Sequence, residues 1–228
     1  MSDKTAIIIG ASRGIGLGLA KELASRGYKV IASERSESAE LHGAAEAHEG
    51  AIEIVRCDVT DPASVAAIKD SCAEGSVDLL VMNAGVYGGS EQELDQLGRD
   101  SVADIVMTNA VAPTQAALDL LPLVKRGGTI AMMSSKMGSI DDSSGGVNLY
   151  RLSKVSQNML ARSLFAKHAQ PRGVGVVSLH PGWVQTDMGG PNALIDVETS
   201  VNGMLDVVDR DDGQNHRFIA YDGSEVPW

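Results

Sequence analysis

A chain of 228 residues with 43% apolar and 21% charged residues can bury a substantial core without disulfides or metals. Its net charge of −11 argues against a nucleic-acid-binding surface, which would be basic, and gives no support for attraction to anionic membranes. The two cysteines, Cys57 and Cys72, form no CxxC pair and do not cluster with histidines at zinc spacing. No metal site is expected, and two thiols in a chain of this size point to a reducing compartment.

The opening MSDKTAIIIG carries too short an apolar run for a signal peptide, and nowhere do 18 apolar residues run together, so a cytoplasmic protein is expected. The β-branched run Thr5–Gly10 reads as a buried strand ending at glycine. Gly14–Arg26 reads as a helix, with Ile15, Leu19 and Leu23 at four-residue spacing and Gly27 ending it. YKVIAS is a second strand, Glu37–His48 a helix and AIEIVRCDV a third strand. In TDPASVAAIKDSC, Thr60 or Asp61 caps a helix with Pro62 in its first turn. VDLLVMNAG is a fourth strand, and Ser101–Val124 has a helical composition that Pro113 should bend or offset. GTIAMMSS, a long helix over Val147–Ala169, GVGVVSLHPG, a helix over Thr199–Val208 and a short strand in HRFIAYDG complete the chain. No linker, repeat or low-complexity tract interrupts this rhythm. Alternating strands and helices predict one α/β domain over residues 1–228, a doubly wound parallel sheet of about seven strands with helices on both faces.

Two stretches carry chemistry. GASRGIG, with Gly10, Gly14 and Gly16, joins the first strand to the first helix, where backbone can approach a pyrophosphate and free N–H groups face it. Tyr150 and Lys154, four residues apart, share a helix face. A free tyrosine, with a pKa of about 10, is a poor base near neutrality. A nearby ammonium favours the phenolate, so the phenol can exchange a proton with an alcohol or carbonyl oxygen. Ser134 or Ser135 could hydrogen-bond that oxygen while a nicotinamide exchanges hydride at carbon.

Gly-x-x-x-Gly-Ile-Gly near the N-terminus, Asn-Ala-Gly after the fourth strand and Tyr-x-x-x-Lys after the fifth resemble the short-chain dehydrogenase/reductase family, in order and over essentially the whole chain. The resemblance implies a Rossmann-type fold and a catalytic set of Ser135, Tyr150, Lys154 and Asn109. In SKMG the serine is followed by two residues and a glycine, which selects Ser135 and leaves Ser134 as the fallback. The 15 positions from Ser135 to Tyr150 slightly exceed the commonest family spacing, through the insert IDDSSGG. Asn109, in MTNAVAP, corresponds to an asparagine that holds a water between the lysine and solvent.

The resemblance also implies cofactor contacts from Gly10, Ser12, Arg13, Gly14, Ile15 and Gly16 in the first turn, and from Tyr150 and Lys154 themselves. Asn83, Ala84 and Gly85 match the Asn-Ala-Gly motif, with Met82 where an asparagine usually stands. Asp58 and Val59 match positions that touch the adenine ring, although a strand-end aspartate capping the next helix is an equal alternative. In HPGWVQTDMGG, Pro181 and Gly182 match the family segment, and Val184 and Thr186 would meet the nicotinamide carboxamide. His180 reads as structural, and Trp183 lines the substrate pocket or packs in the core.

Cofactor choice turns on SER after the second strand. Glu34 occupies the position of an acid that binds NAD ribose hydroxyls, and Arg35 follows where a base would favour NADP. Arg13 adds a second positive charge, so NADP(H) is preferred and NAD(H) is possible.

SSKMGSI, YRLSK and the terminal YDGSEVPW resemble the carbonyl-reducing subgroup that includes sniffer and C-factor-like proteins. This implies an NAD(P)H-dependent oxidoreductase acting on a small carbonyl compound or its alcohol, with a short lid and an open pocket. The alternative is a non-catalytic dinucleotide-binding sensor or a C-factor-like signalling protein. A serine-hydrolase elbow is unsupported, since Gly-x-Ser-x-Gly is lacking. A homodimer or homotetramer is expected, with Val155, Met159 and Leu164 either in that contact or packed on the sheet.

Overall fold

The structure, a computed structural model, describes residues 4–228. Its strands are β1 (Thr5–Ile9), β2 (Lys29–Glu34), β3 (Ile52–Arg56), β4 (Val77–Met82), β5 (Val124–Met133), β6 (Gly175–His180) and β7 (Arg217–Ala220). The helices are α1 (Gly14–Ser25), α2 (Ala39–Ala47), α3 (Pro62–Lys69), α4 (Arg99–Val106), α5 (Ala112–Leu120), α6 (Asn148–Leu164) and α7 (Val197–Asp209). All seven strands form one parallel sheet in the order β3-β2-β1-β4-β5-β6-β7. The order reverses between β1 and β4, which opens a crevice at the carboxyl ends of the strands.

Period-two alternation divides the core between the two faces of the sheet. Ile7, Ile9, Leu80, Met82, Ile130 and Val176 pack with Val65, Ala116, Leu120 and Leu164 from α3, α5 and α6. Ala6, Ile8, Val30, Val81, Val177 and Leu179 pack with Leu19, Leu23, Leu41 and Met204 from α1, α2 and α7. Both faces are covered by helices, so the strands read as near-continuous apolar runs. Leu164 therefore belongs to the core, whereas Met159 is exposed. Among the described residues no helix is long and apolar enough to cross a membrane.

The helix expected over Ser101–Val124 is interrupted twice. A wide five-residue turn, Met107–Val111, separates α4 from α5. Pro113 has no N–H to offer the Asn109 carbonyl, so the regular ladder cannot run through it. Pro122 then ends α5 in a short 3₁₀ turn, Leu121–Leu123, and β5 begins at Val124 rather than at Gly128. Asp61, not Thr60, caps α3, accepting the Ala63 N–H with Pro62 in the first turn.

Candidate active site

The glycine turn is built by close backbone contact. Gly10 has φ 92, and a Cβ there would lie 2.8 Å from the Ala84 backbone. A Cβ on Gly16 would lie 2.1 Å from the Gly10 carbonyl oxygen. Asn83 Nδ2 donates to that same oxygen at 2.6 Å, which locks the Asn-Ala-Gly segment after β4 to the turn after β1. α1 then starts with no side-chain cap and no acid in its first turn, so its N-terminal N–H groups and dipole suit an anion. Ser12, Gly14 and Ile15 are half-buried around this opening. Thr186 approaches from the loop after β6, 3.2 Å from where a Gly14 Cβ would be. Beside it, exposed Arg13 pairs with Asp187 at 2.9 Å. Backbone room and an uncapped helix end fit a dinucleotide pyrophosphate.

At the end of β2, Glu34 is buried while Arg35 is exposed. The Glu34 carboxylate accepts from the Ser38 N–H at 2.9 Å and meets His42 Nε2 at 3.0 Å. Asp58 Oδ1 accepts from the Thr60 N–H and hydroxyl, at 2.9 and 2.7 Å, which holds its carboxyl below the usual range. Asp58 therefore shapes the turn before α3 and does not cap that helix. Val59 beside it is buried.

The second half of the site lies where β5 ends and α6 begins. Ser134 and Ser135 point to opposite sides of the extended chain. Ser134 is buried and donates to Asn158 Oδ1 at 2.7 Å, whereas the half-buried Ser135 hydroxyl accepts the Met137 N–H at 3.2 Å and lies on the side of the Tyr150 phenol. Burial pushes the phenol up to about 12, against the downward pull of Ser135. Lys154 is fully enclosed, and burial pushes it down to about 7. Its Nζ donates to the Met133 carbonyl at 2.7 Å and to Gln157 Oε1 at 3.0 Å, and stands 5.7 Å from the Tyr150 ring centroid. Lys154 therefore lies over the ring rather than on the phenol oxygen.

Asn109, fully buried in the wide turn before α5, accepts from the Val86 N–H at 2.8 Å and donates to Val86 O and Ser153 Oγ at 2.7 and 3.0 Å. A Cβ on Gly85 would lie 3.2 Å from Asn109 Oδ1 and 3.8 Å from Lys154 Nζ, so a side chain there would press on the point where these groups converge. Pro181 and Val184 are buried, and a Cβ on Gly182 would meet Ile195 at 2.6 Å. His180 is pushed down to about 4 by burial and is neutral. Trp183 is half exposed, with its indole N–H on the Gly189 carbonyl at 2.8 Å, so it belongs to the surface of the loop and not to the core.

Three amides escaped the sequence reading: Gln92 behind Tyr150, Asn158 on Ser134 and Gln157 on Lys154. So did His42. Asn158 and Gln157 lie one turn beyond Lys154, so helical spacing alone could have flagged them. Gln92 and His42 carry no local signal.

The sequence pattern described as short chain dehydrogenase matches residues 4–193. The C-signal protein of Myxococcus xanthus is 42% identical over 161 residues, 68% of this chain and 94% of that protein. A carbonyl reductase from Pseudomonas aeruginosa PAO1, solved in complex with NADP, superposes with a TM-score of 0.90 at 36% identity, covering 100% of both chains. The carbonyl reductase Sniffer of D. melanogaster superposes with a TM-score of 0.87 at 30% identity, again over 100% of both. With the glycine turn, the Asn-Ala-Gly lock and the Tyr150–Lys154 pair all in place on this sheet, the chain belongs to the short-chain dehydrogenase family.

Proposed function

We propose that this protein is an NADP(H)-dependent carbonyl reductase in which Tyr150 is the general acid/base, Ser135 polarises the substrate oxygen and Lys154 is the enclosed amine that supports the Tyr150 ring. The observation that carries this reading is the approach of Ser135 to the Tyr150 phenol, one helical turn from the enclosed Lys154, in a chain whose α1 starts uncapped. A bound nicotinamide would supply or accept the hydride. The chain's own groups handle the proton. A phenol pushed up to about 12 is protonated near neutral pH and can donate to a carbonyl oxygen, the acid role that reduction requires. The Ser135 hydroxyl holds the same oxygen. Lys154, at about 7, can give up and regain a proton in the physiological range. Asn109 spends its side chain on Val86 and Ser153, so any water beside it is held by its backbone carbonyl, which Pro113 cannot serve.

NADP(H) is supported by exposed Arg35 and Arg13, by the engagement of Glu34 within the chain and by the NADP complex of the Pseudomonas enzyme. Ser12, Gly14, Ile15 and Gly16 would face the pyrophosphate, Asp58 and Val59 the adenine, and Val184 and Thr186 the nicotinamide amide. The mouth presents exposed Trp183, Met188 and Leu194, which suits small apolar carbonyl compounds of varied shape. A homodimer or homotetramer is supported by exposed Leu118 on α5 and Leu152 and Met159 on α6.

A second reading, a signalling protein, is favoured by the likeness to C-signal. Tyr150→Phe separates the two. A reductase loses about 10²- to 10⁴-fold in kcat and keeps its NADPH affinity. Signalling that survives the change, in a protein without carbonyl turnover, would favour the second reading.

A further inference from the structure

Glu34 stands at the position from which an acid would accept the ribose hydroxyls of NAD, yet its carboxylate is already engaged. One oxygen accepts from the Ser38 N–H at 2.9 Å and the other meets His42 Nε2 at 3.0 Å, with the residue only 8% exposed. Ser38 is the N-cap of α2, and its hydroxyl donates to the Ser12 carbonyl at 2.6 Å. The group that binds Glu34 is thereby tied to the glycine turn, and Glu34 is drawn toward α2. Ser33, the residue before it, is also committed, accepting the Gly10 N–H at 2.9 Å.

Resting on the cofactor reading above, we propose that His42 is a cofactor-specificity residue: by holding one Glu34 oxygen it withdraws that acid from the ribose and leaves Arg35 and Arg13 to select a 2′-phosphorylated dinucleotide. The chain thus carries an acid in the NAD position without presenting it. Glu34 in turn strengthens the hold of His42 on its proton, so the contact is charge-assisted. His42 lies on the outer side of α2 with half its side chain exposed, so it can be replaced without opening the core.

The test is fluorescence titration of the intact protein with NADPH and NADH, which reads binding without a carbonyl substrate. Wild-type protein should bind NADPH more tightly. His42→Ala should release Glu34, tighten NADH, weaken NADPH and cut the NADPH/NADH preference about tenfold or more. His42→Gln keeps a donor at similar reach and should retain the preference. In a Glu34→Ala background, His42→Ala should have no further effect. An unchanged preference in His42→Ala, an equal shift without Glu34, or a wild-type preference for NADH would each overturn the proposal. Failure of the wild-type protein to bind either dinucleotide is a different result and would remove the cofactor reading together with this proposal.

Discussion

The backbone N–H of Tyr150 donates to Gln92 Oε1 at 3.0 Å across a sequence separation of 58 residues. α6 lacks a cap of its own, because the residue before it, Val147, has φ 52 and offers no side-chain oxygen. Gln92 supplies the cap from a distance. Its carbonyl accepts the Asn148 N–H at 2.8 Å, and its Nε2 donates to the Tyr87 and Gly89 carbonyls at 3.0 Å. The Tyr87 ring then lies 5.4 Å from the Tyr150 ring. One buried glutamine therefore sets the start of α6 and the loop facing it.

Replacing Gln92 with Ala should cost about 1–3 kcal/mol of stability, because buried partners lose their hydrogen bonds. It should also lower kcat about tenfold or more through misplacement of Tyr150, with NADPH affinity little changed. Thermal melts, steady-state kinetics and cofactor titration on one preparation check all three.

The two adjacent serines should separate stability from catalysis. Ser134→Ala leaves Asn158 Oδ1 without its donor and should lower stability by about 1–2 kcal/mol, with turnover nearly intact. Ser135→Ala should leave the melting temperature close to wild type and reduce kcat about 10²- to 10³-fold. Equal kinetic losses in both variants would contradict the assignment.

Lys154 links activity to stability. Its value falls from 10.5 to about 7 on folding, so between those limits the unfolded chain binds a proton that the folded chain has released. Stability from this group therefore rises with pH across that window and is lowest below about 7, where the folded protein must bury an ammonium. Lys154→Met should raise the melting temperature relative to wild type at pH 6 and show a smaller gain at pH 10, while removing most turnover. A melt series of both proteins across pH checks the sign.

Asp211 offers a stabilising change away from the site. Both carboxylate oxygens are buried without a hydrogen bond of good geometry, and burial together with Asp212 pushes the group up, against a weaker pull from Arg217. A raised carboxyl stabilises only while protonated, so its contribution is lost as pH rises through the folded value. At pH 7 Asp211→Asn should gain about 1 kcal/mol, or about 2–4 °C in melting temperature. The gain should shrink as pH falls from the folded value and vanish below the ordinary carboxylate value, and kcat should not move.

The alternation of strands and helices, the glycine turn and the Tyr150–Lys154 face were legible from the sequence alone. Each rests on a local period: two for strands, 3.6 for helices, and the φ freedom of Gly10 at a turn. The ends of α5 and the start of β5 were not legible, because Pro122 and the pairing of Val77 with Val124 decide them together. Only the tertiary structure decided that Ser134 turns to Asn158 and Ser135 to Tyr150, that burial moves Tyr150 and Lys154 in opposite directions, and that Glu34 is held by His42. The same holds for Gln92 as the cap of α6. These contacts join segments that the sheet order brings side by side. The strength of a hydrogen bond or a charge depends on the burial and partners found there, and no local period records either.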